Sequence, residues 1–162
     1  MQPSEVLATY IYIQCKRNSA KPNLNANLDQ LFIQPAQQSY ADMKVLIGKL
    51  CEKLRLQSKQ IYQSIRLLEK FCKARDCSLV FNNYYRLIVT CVNILNKYYN
   101  DKYMWLHSMQ QMTGIPLNVL QQLEILFVVA IEFDLYYADI VFQNDMQKLQ
   151  VFIDKYFQRY CQ

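Results

Sequence analysis

Residues 86–97 read RLIVTCVNILNK, and on a helix this run is apolar on nearly every side. A helix of that kind cannot lie on a surface; other elements must pack around it. The chain therefore has to fold by wrapping this segment, and helices are the elements it has to do so. Its only glycines are Gly48 and Gly114, and its only prolines are Pro3, Pro22, Pro35 and Pro116. So few breakers favour long helices over a turn-rich β-sandwich. A length of 162 residues suits one domain with a real core.

Hydrophobic periodicity sets out the other helices. Residues 1–17 predict a short amphipathic helix with Val6, Leu7, Tyr10 and Ile13 on one side. Residues 18–38, rich in Asn, Gln and Pro, read as a tether with a small anchor at Leu31, Phe32 and Ile33. Met43, Ile47, Leu50 and Leu54 form the stripe of a helix from about Tyr40 to Leu54. Ser58 is a suitable N-cap for the next, which runs to about Ala74 with Ile61, Ile65, Leu68 and Cys72 on one face. The central helix spans about Asn82 to Tyr99. A short helix near Met104–Met112 closes at Gly114, and Pro116 opens a fourth principal helix ending near Glu132. A fifth covers about Asp139 to Tyr156. The expectation is an all-α domain over 39–162, five helices around a buried third, with residues 1–38 as an N-terminal extension.

Several function classes drop out. The six cysteines form no CxxC pair and His107 is the only histidine, so neither a metal site nor a cofactor is expected. Nor does any constellation of Ser, Cys, His and carboxylates suggest catalysis. No apolar run is long enough for a membrane span, and the first residues lack the basic start of a secretion signal. An intracellular protein with reduced thiols is expected, in the nucleus or the cytoplasm or both. The net charge of +5 is uneven, with bases crowding Lys44–Arg75 and acids dominating beyond Lys102. Such lysines usually form the solvated faces of amphipathic helices, so nucleic acid is a secondary reading.

Lys97 ends the apolar central helix, and Glu124 lies in the apolar helix that follows. Charges in such settings need partners. The pair stands in an ordered set: Tyr85-Arg86-Leu87, Asn96-Lys97-Tyr98, Asn100-Asp101, Gly114-Ile115, Gln121-Gln122-Leu123-Glu124, then Phe133-Asp134-Leu135. This set resembles the cyclin box, and in detail the P/U-type (phosphate-regulon-like) cyclins. The likeness covers roughly Tyr40 to Phe157 and is strongest from Arg86 to Leu135.

The resemblance implies a non-catalytic subunit that binds and activates a cyclin-dependent protein kinase. Lys97 and Glu124 match the family's kinase-gripping pair, which hydrogen-bonds backbone at the end of the kinase helix carrying a catalytic glutamate. Tyr98, Val128, Phe133 and Leu135 match the apolar contacts beside it. Lys49 and Glu69 fall where the family has an Arg–Asp pair between the first two box helices, which implies a structural ion pair. Lys70 matches the arginine after that Asp.

This sequence also departs from the family pattern. Leu95 stands where a small residue precedes the family's Ser-Lys, and the second box helix carries Gln63, Ser64 and Arg66 at usually apolar positions. Neither RxxL nor KEN occurs, so timed destruction through those signals is not expected. The chain reads as a divergent cyclin. A second reading follows from these departures: a cyclin-fold scaffold in a larger assembly, with Lys97 and Glu124 pairing only with each other.

Overall fold

The computed structural model describes residues 1–19, 21, 28–36 and 38–161. Among these, seven α-helices form and no strand does: α1 (Pro3–Asn18), α2 (Tyr40–Lys53), α3 (Ser58–Ala74), α4 (Tyr84–Tyr99), α5 (Leu106–Thr113), α6 (Leu117–Ala130) and α7 (Asp139–Cys161). The five principal helices expected are α2, α3, α4, α6 and α7. Residues 20, 22–27 and 37 of the Asn/Gln/Pro-rich tether lie outside the described residues. Its anchor does not: Gln30–Phe32 make one 3-10 turn, and Phe32 is buried.

Local chemistry sets the boundaries. Ser39 Oγ accepts from the Asp42 N–H at the start of α2. Gln57, not Ser58, caps α3: it forms a reciprocal box with Gln60, whose Oε1 accepts from the Gln57 N–H at 2.9 Å. Asn83 ties the loop before α4, accepting from the Val80 N–H and donating to the Ser78 carbonyl. Gly114 ends α5 with φ 71°, a left-handed residue where a side chain would be strained. Pro116 serves as N-cap of α6, which bends 106° away from α5. No single helix among the described residues is long and apolar enough to cross a membrane.

Helix α4 is the central one. Tyr84, Tyr85 and every residue from Leu87 to Asn96 are buried along it, and α3 and α6 pack on it. Leu95 is fully buried, so the bulkier residue at that position is accommodated. An aromatic stack ties the layers together. The Phe71 ring of α3 lies parallel to Phe127 of α6 at 4.7 Å, and Phe32 meets Phe71 at 5.0 Å. Each such ring stabilises by about 1.5–3 kcal/mol through burial, and each pair by about 0.5–1.5 kcal/mol more.

Helix α1 departs from the one-sided amphipathic helix expected of it. Every residue from Val6 to Ile13 is buried, as is Cys15, because α2, α3 and α7 all pack against it. Its one small polar residue in that stretch is satisfied internally. Thr9 Oγ1 donates to the Glu5 carbonyl at 2.6 Å and shares a 2.7 Å hydrogen bond with Tyr40 Oη. Arg17 stacks its guanidinium over Tyr156 and Phe152 of α7, closing that seam.

Candidate functional site

Asn93, Asn96 and Lys97 lie three and four residues apart on α4, which brings them to one face at its C-terminal end. Glu124 of α6 faces them. Lys97 Nζ lies 2.7 Å from Glu124 Oε1 and donates to Oε2 at 2.8 Å, so the ammonium bridges both oxygens. Asn93 Nδ2 donates to Oε1 at 2.7 Å. The side chains keep 31% and 16% of their surface, so the pair is neither buried outright nor freely solvated. The Tyr103 ring covers the Lys97 ammonium at 5.9 Å. Asn93 was not singled out by sequence reasoning. An asparagine one turn before the lysine, inside an otherwise apolar run, was the available signal, since a polar residue placed there calls for a polar partner.

The pair is not chemically saturated. An ammonium has three donors, and two point at Glu124; a carboxylate accepts at about four sites, and three are used. One donor and one acceptor remain for a partner.

The apolar surroundings follow α6. Its core stripe is Leu120, Leu123 and Phe127. Val128, one turn past Glu124, is half-buried, while Ile125 and Val129 stand exposed at 62% and 52%. Those two exposed residues extend the expected patch. Their signal was in the sequence: three anchors at helical spacing already complete a core face, so the remaining apolar residues are surplus to the fold.

After α6 the chain makes an unusual turn. Glu132 and Phe133 both take left-handed backbone angles, φ 57° and 55°. Each costs a non-glycine residue roughly 1–2 kcal/mol. The turn is held from three sides. The Phe133 N–H donates to the Val128 carbonyl at 2.8 Å, Gln63 Nε2 donates to the Leu135 carbonyl at 2.6 Å, and Lys70 Nζ lies 2.6 Å from Asp134 Oδ2. The Lys70 hydrogen bond and charge keep the Asp134 carboxyl below its usual range. The result is that Phe133 projects into solvent with 69% of its surface free, while Leu135 is half-buried. Tyr98, on the last turn of α4, is exposed with its ring edge-on to Tyr99.

Lys49 and Glu69 are not brought together. Lys49 is exposed on α2, and Glu69 Oε1 instead accepts from Tyr10 Oη of α1 at 2.7 Å. Burial first, and then Glu69, pushes the Tyr10 hydroxyl pKa well up. The polar residues of α3 have partners too. Gln63 also accepts from Tyr99 Oη, Ser64 Oγ donates to the Ile61 carbonyl, and Arg66 pairs with Asp145. Among the described residues no cluster of His, Cys, Asp and Glu could hold a metal.

A search of curated proteins finds no match. A protein-family model described as Cyclin matches residues 19–135. That span covers more than half of the chain and ends at Leu135, so it includes Lys97, Glu124 and the whole apolar patch. On that match and this all-helical architecture, the chain belongs to the cyclin family.

Proposed function

We propose that the chain is a non-catalytic regulatory subunit of a cyclin-dependent protein kinase, of the P/U type, acting where its kinase acts in the nucleus or cytoplasm. The observation that carries this reading is the half-exposed Lys97–Glu124 pair with one donor and one acceptor left over, bordered by Tyr98, Ile125, Val128, Val129 and Phe133. A helix end offers unpaired carbonyls and its neighbouring backbone offers N–H groups. Lys97 suits the first and Glu124 the second, at about 1.5–3 kcal/mol for each charge-assisted bond. The apolar border supplies the dry centre that makes such bonds count.

Activation would be a population shift. The chain binds better to the kinase state whose glutamate-bearing helix is turned inward, and that difference in affinity sets the size of the effect. A stable complex of this kind buries roughly 1,600 Å² in total. Members of the family are in general non-catalytic regulators, in keeping with a site built from contacts and not from reacting groups.

A second reading rests on the closure of the pair. Lys97 and Glu124 already pair with each other and Glu124 takes the Asn93 amide N–H, as they would in a scaffold that never meets a kinase. Nucleic acid is a weaker partner class. Lys59, Arg66 and Lys70 of the basic region are engaged by Asp139, Asp145 and Asp134.

Co-purification of the full chain with the kinases of its cell separates these readings. Lys97→Ala with Glu124→Ala should remove the kinase and leave helical content by circular dichroism unchanged. Undiminished kinase recovery from the double variant would reject the assigned roles, and recovery of a non-kinase assembly alone would favour the scaffold.

A further inference from the structure

Lys59, Arg66 and Lys70 of α3 are neutralised by aspartates, but a second set of cations is not. Where α1 packs on α7 and α2, five cations lie over aromatic rings. Arg17 of α1 covers Tyr156 at 4.6 Å and Phe152 at 5.7 Å, and its neighbour Lys16 covers Tyr12 at 5.5 Å. Lys44 of α2 lies 4.8 Å from the centre of the Tyr40 ring. On α7, Lys155 lies 5.3 Å from Tyr156 and Arg159 lies 5.3 Å from Tyr160. The rings join these cations into one surface. Phe152, Tyr156 and Tyr160 follow one another along α7 at 5.0 and 6.2 Å. Phe157, next to Tyr156 in the chain, meets Tyr40 at 6.1 Å, and Tyr40 meets Tyr12 at 5.2 Å.

Among the described residues none of these cations forms an ion pair; the ion pairs lie on other side chains. Asp154, the only acid after Asp145, instead accepts from Gln150 Nε2 at 2.7 Å. Lys16, Lys155 and Arg159 are exposed, and Arg17 and Lys44 are half-buried. Charge of one sign gathered on one surface repels itself. Closing the seam between α1 and α7 accounts for Arg17. It does not account for Lys155 and Arg159, whose ring contacts are with their own helix.

We propose that this surface binds single-stranded nucleic acid, with phosphates on the cations and bases on Tyr40, Tyr156 and Tyr160. Those three rings are half-buried, and each carries a cation over its face. An exposed cation–π contact is weaker than the stacking of a base on the same ring. A lysine that yields its ring to a base gains a phosphate in exchange. An arginine donates to phosphate from the edge of its guanidinium and keeps its ring. Ring and cation therefore both end with a stronger partner. An acidic peptide or an anionic lipid surface would take the cations and leave the rings unused. A duplex keeps its bases stacked inside, away from the rings. The proposal is independent of the kinase reading, since its residues lie on α1, α2 and α7, whereas Lys97 and Glu124 lie on α4 and α6.

Titrate the full chain into a fluorescent oligothymidine of about 15 nucleotides and read its anisotropy. With a phosphate on each of the five cations, affinity should fall about a hundredfold as salt rises from about 50 to about 200 mM. The strand should bind more tightly than a duplex of the same length, although the duplex carries its charge more densely. Lys155→Glu with Arg159→Glu should weaken binding by about tenfold or more and flatten the salt dependence. Lys49→Glu with Lys53→Glu makes the same charge change on exposed residues of α2 outside the surface, and should cost less than about threefold. Tyr160→Ala should weaken binding about fivefold or more and leave the salt dependence unchanged. Circular dichroism checks that each variant keeps its helices, and the comparison of strand with duplex needs no variant. No binding of the strand at about 50 mM salt would overturn the proposal. So would a duplex, polyglutamate or anionic vesicles binding as tightly as the strand, or equal losses from the two charge-reversed pairs.

Discussion

Helices α4 and α6 look alike as sequence, and the fold treats them in opposite ways. Both are apolar nearly all round. In α4 even Thr90, Asn93 and Asn96 are buried, whereas in α6 only Leu120, Leu123 and Phe127 are, and Ile125 and Val129 face solvent. The polar residues of one helix are inside and the apolar residues of the other are outside. Apolar content thus does not report how many sides of a helix are covered. Where it exceeds what the core uses, as on α6, it marks a face available to another molecule. Where polar groups sit inside, as on α4, they mark bonds the fold depends on.

The sharpest way to test that contrast is truncation on each helix. Leu87→Ala on α4 removes a fully buried side chain and should cost about 2–5 kcal/mol, read as a lower denaturation midpoint in urea. A loss under about 1 kcal/mol would deny α4 its central place. Glu124→Ala comes next. It strands the Lys97 ammonium and the buried Asn93 amide, for a loss of about 1–3 kcal/mol, while Glu124→Gln keeps an acceptor for Asn93 and should lose less. Equal losses from the two variants would mean that the asparagine bond contributes nothing.

On α6 the expected effect on stability is smaller still. Ile125→Ser with Val129→Ser should shift unfolding by no more than about 0.5 kcal/mol per site and should reduce binding of an apolar dye. A collapse in stability would show that this face belongs to the core after all. The smallest effect concerns pH at the turn after α6. The Asp134 carboxyl is held below its ordinary value by Lys70, so the pair's contribution is full above the ordinary carboxylate range. It is lost as pH falls through the depressed value. Both side chains are well exposed, so added salt should raise the Asp134 carboxyl, followed by carboxyl-carbon NMR, back toward its usual range. No response to salt would place the effect in hydrogen-bond geometry instead of charge.

Much of the helical layout was legible because local chemistry decides it. The stripe of Ile61, Ile65 and Leu68, the left-handed Gly114 and the breaker Pro116 all act within a few residues, and α3, α5 and α6 lie close to where those signals put them. What escaped depends on distant contacts. Glu69 was matched to Lys49 of the preceding helix, but Tyr10 reaches it from α1, across 59 residues of chain. Gln63 and Arg66 looked out of place on α3 until Leu135, Tyr99 and Asp145 supplied their partners. The one-sided stripe of α1 gave no hint of burial on every side, because that burial comes from α2, α3 and α7 together. Within the site, the Lys97–Glu124 pair was readable from its pattern. The back-to-back left-handed residues Glu132 and Phe133 were not, since neither residue type advertises such a conformation.

The seam between α1 and α7 sets a timetable for synthesis. The first helix leaves the ribosome with a sequence that is buried on all sides in the finished domain, yet α7 is translated roughly 120 residues later. At ordinary elongation rates that interval is on the order of ten seconds. Throughout it, Tyr10 lacks the Phe152 ring that packs on it in the finished domain. A nascent chain of this kind is a client for chaperones that bind apolar segments, and its release should coincide with the arrival of Phe152 and Tyr156 against Arg17.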